Sequence, residues 1–203
     1  MSKGSTPLDR ENVTSTMPGA GLWVAALPLS VRAYLAHTAG GLSIRSIARA
    51  NDRPPSTILR QIRRIETRRD DPLVDGALGY ASVLCSSLTN AAVPEGWTTM
   101  ISKQKDTPDL FEKRVAKEAR RILRRLSEKN ASLVVAEDME KAVVLRETVP
   151  GKHTRTAVVD REVAYHFALQ DWVAVVMKGR VARYQITDAG RSARKRCLEE
   201  DRQ

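Results

Sequence analysis

The stretch from 43 to 69, Ser-Ile-Arg-Ser-Ile-Ala-Arg-Ala-Asn-Asp-Arg-Pro-Pro-Ser-Thr-Ile-Leu-Arg-Gln-Ile-Arg-Arg-Ile-Glu-Thr-Arg-Arg, constrains the fold more than any other. It reads as two helices joined by a tight turn. Ser43 is a suitable N-cap for the first, and Ile44, Ile47 and Ala48 share one face of it. Ala48 is small, as a close helix crossing requires. Asn51 and Asp52 fall in the turn and tolerate left-handed backbone better than most residues. Pro54 and Pro55 suit the entry to the next helix, where a missing N–H costs little. Ile58, Leu59, Ile62 and Ile65 then form an apolar stripe, opposed by Arg60, Gln61, Arg63, Arg64 and Arg68.

This is the helix-turn-helix pattern, whose second helix lies in the major groove of DNA. A helix over 54 to 68 is expected to present its N-terminal side chains to base edges. Ser56, Thr57, Arg60, Gln61 and Arg64 are the candidate base readers, since Arg pairs with guanine and Gln with adenine. Arg45, Arg49, Arg53, Arg63, Arg68 and Arg69 are the candidate phosphate contacts, which set register without reading sequence.

The run Ile58-Leu-Arg-Gln-Ile-Arg-Arg-Ile-Glu66 resembles the recognition helix and exit of LysR-type regulators. Asp71-Pro-Leu-Val74 is similar to the segment that starts their wing, and the resemblance covers roughly 28 to 78. Two features depart from that family. Its polar helix entry is replaced by Pro54-Pro55-Ser56-Thr57, and the remainder of this chain is too short for its large effector domain. The resemblance therefore implies DNA-binding geometry without a small-molecule effector.

The 203 residues suffice for two small domains or one larger one. A formal net charge of +10 suits a polyanionic partner. Aromatic residues make up only 4%, which argues against a single-strand binder built on stacked rings. The first residues lack an apolar signal region, and no apolar run is long enough to span a bilayer, so a cytoplasmic, nucleoid location is expected. Cys85 and Cys197 have no metal-ligand spacing and read as structural thiols.

Four segments are expected along the chain: a loose tail over 1 to 20, the helix-turn-helix domain over 21 to 88, a linker over 89 to 108 and a second domain over 109 to 203. In the first domain a bracing helix runs from about 30 to 38, and 77 to 88 is apolar and helical. The second domain begins with a strong helix from 109 to 129, decorated by Arg120, Arg121, Arg124 and Arg125. A strand at 141 to 146, a turn at 149 to 154, a helix at 160 to 170 and a hairpin turning at Lys178-Gly179-Arg180 follow.

The final Arg183-Tyr-Gln-Ile-Thr-Asp-Ala-Gly-Arg191 resembles the wing-exit strand and next helix of bacterial winged-helix regulators, with Thr187 as N-cap. The expected fold is mainly α: an N-terminal helix-turn-helix, with or without a wing, plus a C-terminal winged-helix-like α+β domain. Arg155, Arg161, Lys178 and Arg180 are secondary candidates for DNA contact. A protein-docking surface is the competing role for that half.

The combined arrangement resembles alphaproteobacterial regulators with a C-terminal domain of unknown function, and within them the activators of gene transfer agent genes. The resemblance implies a transcription activator of phage-like gene clusters. It also implies RNA polymerase as a partner, with a DNA-bending protein or a second activator subunit as further ones. A repressor of the same architecture and an RNA-polymerase or RNA-binding adaptor are the alternatives.

No catalytic, metal or cofactor site is expected. His37, His153 and His166 do not pair with each other, with Cys or with carboxylates at ligand spacing. Gly151-Lys152 lacks the glycine frame of a phosphate loop, and Asp138 with Glu140 reads as solvated charge. A recombinase would need a nucleophilic Ser or Tyr with convergent arginines, and no such constellation stands out.

Overall fold

The computed structural model describes residues 20–89 and 110–200. The expected tail and linker lie outside the described residues, except that Ala20 opens a helix and Thr89 closes one. Helices α1 (Ala20–Ala25), α2 (Leu29–Thr38), α3 (Ile44–Ala50), α4 (Pro55–Thr67) and α5 (Pro72–Thr89) form the first half. The second half runs α6 (Leu110–Leu126), β1 (Ala131–Ala136), β2 (Lys141–Val149), β3 (Lys152–Asp160), α7 (Arg161–Leu169), β4 (Val173–Met177), β5 (Val181–Ile186) and α8 (Asp188–Glu200).

The turn between α3 and α4 is built as its residues dictate. The Ser43 hydroxyl accepts from the Ser46 N–H at 3.1 Å and caps α3. Asn51 Nδ2 returns to the Ile47 carbonyl at 2.8 Å, and Asp52 takes the left-handed backbone with φ 50°. Pro54 is the N-cap of α4 and Pro55 its first helical residue. Ile47 and Ala48 of α3 are buried with Ile58, Ile62 and Ile65 of α4 and with Val31 and Leu35 of α2.

The expectation of a mainly α fold is overturned. The described strands form one five-stranded antiparallel sheet in the order β3-β2-β1-β5-β4, and the protein is α+β. The β4–β5 hairpin is joined through β5 to β1, so it is the flank of a broad sheet and not a winged helix. Nor does a wing follow α4. A single 3-10 turn, Arg68–Asp70, leads straight into α5, where the Asp71 carboxylate accepts from the Leu73 N–H at 3.0 Å and Pro72 starts the helix.

The unassigned β1, and the start of β3 taken for part of a turn at 149 to 154, have physical causes. β1 (Ala-Ser-Leu-Val-Val-Ala) is the central strand and is buried at most positions, which hides the two-residue period. The first half of β3 (Lys-His-Thr-Arg) is exposed and polar, and only its pairing with β2 makes it a strand.

The two groups of elements share one apolar cluster. It runs from Leu35 and Ile58 through Leu73, Val74 and Ala77 of α5 to Phe167 of α7, Leu133 and Tyr184 of the sheet, and Ile122 and Leu126 of α6. Helices α5 and α7 cross at Gly76, where an added Cβ would lie 3.1 Å from the Tyr165 hydroxyl. Beside the crossing the Tyr80 hydroxyl donates to Glu162 at 2.9 Å, and Trp23 of α1 meets Tyr80 edge-on at 5.3 Å.

Candidate nucleic-acid interface

Helix α4 turns its isoleucines inward and its charge outward. Ser56, Arg60 and Arg63 recur at i, i+4 and i+7 and are all exposed, with Ile58, Ile62 and Ile65 buried on the opposite side. Arg63, assigned to phosphate from the sequence, therefore shares the face that carries Ser56 and Arg60. Thr57 and Gln61 sit on its flanks and are half-buried, and Gln61 Oε1 is enclosed without a hydrogen-bond partner. Arg64 is exposed and lies 3.4 Å from the Asp171 carboxylate.

The phosphate candidates divide into two groups. Arg45 and Arg49 on α3 and Arg53 in the turn are exposed, and none has an ion-pair partner among the described residues. They surround the entry to α4 and can meet a backbone that runs past it. Arg68 and Arg69 are engaged by other groups of the chain, Arg68 half-buried and Arg69 at the surface. The Arg68 guanidinium donates to the Ala168 carbonyl at 2.6 Å and pairs with Asp171 at 2.9 Å. Arg69 pairs with Asp75 at 2.7 Å, and its hydrogen bond to that carboxylate raises its pKa above the ordinary arginine value.

The secondary candidates are not brought together as one basic tip. Arg161 donates to the carbonyls of Ala136, Glu137 and Met139 at 2.8–3.0 Å, so it fastens the β1–β2 turn. Arg180 pairs with Asp138 of that turn at 2.8 Å. Lys178 is exposed at the β4–β5 turn and Arg155 is exposed on the edge strand β3.

A further basic surface was not assigned from the sequence. Helices α6 and α8 pack together, and Lys117, Arg124, Arg191, Lys195 and Arg196 are exposed on them without ion-pair partners among the described residues. The seven-residue interval from Lys117 to Arg124 was a legible signal. The approach of α8 to α6 was not.

The histidines have structural surroundings. His37 Nδ1 contacts the Leu42 carbonyl at 2.8 Å, and His153 is exposed on β3. His166 is enclosed by Trp23 and Trp172, and burial pushes its pKa down to about 4. Among the described residues no group of three His, Cys, Asp or Glu side chains could hold a metal, and no helix is long and apolar enough to cross a membrane. No family model, curated protein or solved structure matches the chain.

Proposed function

We propose that this protein is a sequence-specific regulator of transcription that reads double-stranded promoter DNA with α4. The carrying observation is the exposed row Ser56, Arg60 and Arg63 on the helix that follows the α3–α4 turn, backed by buried Ile58, Ile62 and Ile65. In this geometry Arg60 and Arg63 meet base edges in the major groove, and Arg45, Arg49 and Arg53 hold the flanking phosphates. Among transcription regulators, the sequence resemblance of the helix-turn-helix half favours an activator, with gene-transfer-agent genes as the implied targets. In that role the chain works with RNA polymerase, and with a DNA-bending protein or second activator subunit.

A second reading is an adaptor that binds RNA. The exposed Lys117, Arg124, Arg191, Lys195 and Arg196 on α6 and α8 support it, because such a surface suits any phosphate backbone.

Titration of the full chain against a duplex enriched from a random pool, its scrambled counterpart and single-stranded RNA separates the two. The DNA reading predicts preference for the enriched duplex, lost on scrambling. Tighter binding to single-stranded RNA than to either duplex selects the adaptor.

A further inference from the structure

Arg64 of α4 and Arg68, at the C-cap of that helix one turn on, close on a single carboxylate from the far half of the chain. Arg68 Nη2 lies 2.9 Å from Asp171 Oδ1, and Arg64 Nη2 lies 3.4 Å from Asp171 Oδ2. Asp171 follows the last turn of α7 in left-handed backbone, φ 60°. Its N–H donates to the Ala168 carbonyl at 3.1 Å, and its own carbonyl accepts from the Thr187 hydroxyl just before α8. The carboxylate is therefore held in place by its own backbone.

The two arginines are not equivalent. The Arg68 side chain is 20% exposed and also binds the Ala168 carbonyl, one of the last carbonyls of α7, which makes it a strap between α4 and α7. The Arg64 side chain is 70% exposed, and among the described residues its one partner is Asp171. It can turn from that carboxylate to an external acceptor without breaking the strap.

We propose that Asp171 determines specificity by competing with DNA for Arg64, an inference that rests on duplex reading by α4. To contact DNA, Arg64 must leave the carboxylate. A guanine edge repays this with two acceptors in the fork geometry of a guanidinium. A phosphate met in an arbitrary register offers no fixed match, so on random sequence Arg64 stays with Asp171. Asp171 thus lowers non-specific binding more than specific binding, which is a competitive route to discrimination.

The test uses the full chain with Asp171→Asn, which keeps side-chain size and tolerates left-handed backbone. Binding is measured on an enriched duplex and on its scrambled counterpart. Affinity for the scrambled duplex rises by about two- to fivefold, the range of an exposed ion pair, and affinity for the enriched duplex rises less. The salt dependence on scrambled duplex steepens by up to about one phosphate contact as Arg64 joins the backbone contacts. In an Arg64→Ala background, which leaves the Arg68 strap intact, Asp171→Asn no longer changes the ratio of the two affinities. An unchanged ratio in the single variant, or the same change with Arg64 absent, overturns the proposal and leaves duplex reading standing. Failure of the unaltered chain to discriminate between duplexes overturns the reading itself.

Discussion

The Tyr184 hydroxyl, on strand β5, donates to Asp71 Oδ1 at 2.8 Å, in the turn that leads from α4 to α5. The Tyr184 phenol oxygen also accepts from the Leu73 N–H at 3.2 Å, so one buried phenol closes the junction between the sheet and the α3–α4 unit. Burial, and then the hydrogen bond to Asp71, raise its pKa well above the ordinary tyrosine value.

Tyr184→Phe keeps the ring and removes this junction. It leaves the Leu73 N–H with only Asp71, and a lost buried hydrogen bond costs about 1–2 kcal/mol. Urea denaturation should show a lower midpoint with unchanged slope, and Tyr184→Ala should cost more because it also empties the core. Equal stability of Tyr184→Phe and the parent would remove the hydroxyl from the account.

His166 gives the protein a pH dependence. Gln170 Nε2 donates to the Ala26 carbonyl at 3.0 Å and lies 3.3 Å from His166 Nε2, so the imidazole accepts there in its neutral form. Protonation would set two donors against each other amid Trp23 and Trp172. Burial lowers the folded pKa from 6.5 to about 4, so the unfolded chain takes up the proton first. The stability contributed by neutral His166 is whole above pH 6.5 and declines as pH falls towards about 4, where about 3 kcal/mol has gone. Melting across that interval should show the decline, and His166→Gln should flatten it. A parent curve that is flat there contradicts the assignment.

Gly190 is needed where α8 leaves β5. The Thr187 hydroxyl accepts from the Gly190 N–H at 3.1 Å and starts the helix, and a Cβ at Gly190 would overlap the Trp172 carbonyl oxygen and Ile186 Cγ1. Gly190→Ala should destabilise by about 1–3 kcal/mol, the usual range for overpacking, despite its better helix propensity. Denaturation of the variant checks this, and a gain in stability would contradict the close approach.

Legibility in the sequence followed how local each feature is. The α3–α4 unit could be read because its cap, left-handed turn, prolines and isoleucine stripe all lie within 43 to 69, and each has the geometry its residue type predicts. The sheet could not be read in full. β1 lacks alternation because it is central, and β3 is a strand only through β2. Arg68 and Arg161 read as free cations on paper, yet their guanidiniums serve carbonyls 100 and 22–25 residues away. Asp171 gave no signal, because its meaning lies in a contact 107 residues distant.

Arg49 is exposed on α3, and the proposed reading of duplex DNA puts it among the phosphate contacts. Arg49→Ala should weaken enriched and scrambled duplexes alike and reduce the slope of log affinity against log salt by about one. Anisotropy titrations over a salt series measure both. A loss confined to the enriched duplex would move Arg49 to the base-reading set.

The central claim is that α4 reads base sequence through its exposed row. Gln61 is half-buried with its carbonyl oxygen enclosed, so Arg60 is the cleaner probe. The direct measurement is selection of binding sites from a random duplex pool by the unaltered chain and by Arg60→Ala, followed by titration of the enriched duplex. The parent should enrich a defined motif, and Arg60→Ala should lose about 1–3 kcal/mol on it and relax preference at one base position. Enrichment of no motif by the parent, or equal loss on enriched and scrambled duplex in the variant, would contradict base reading by this helix.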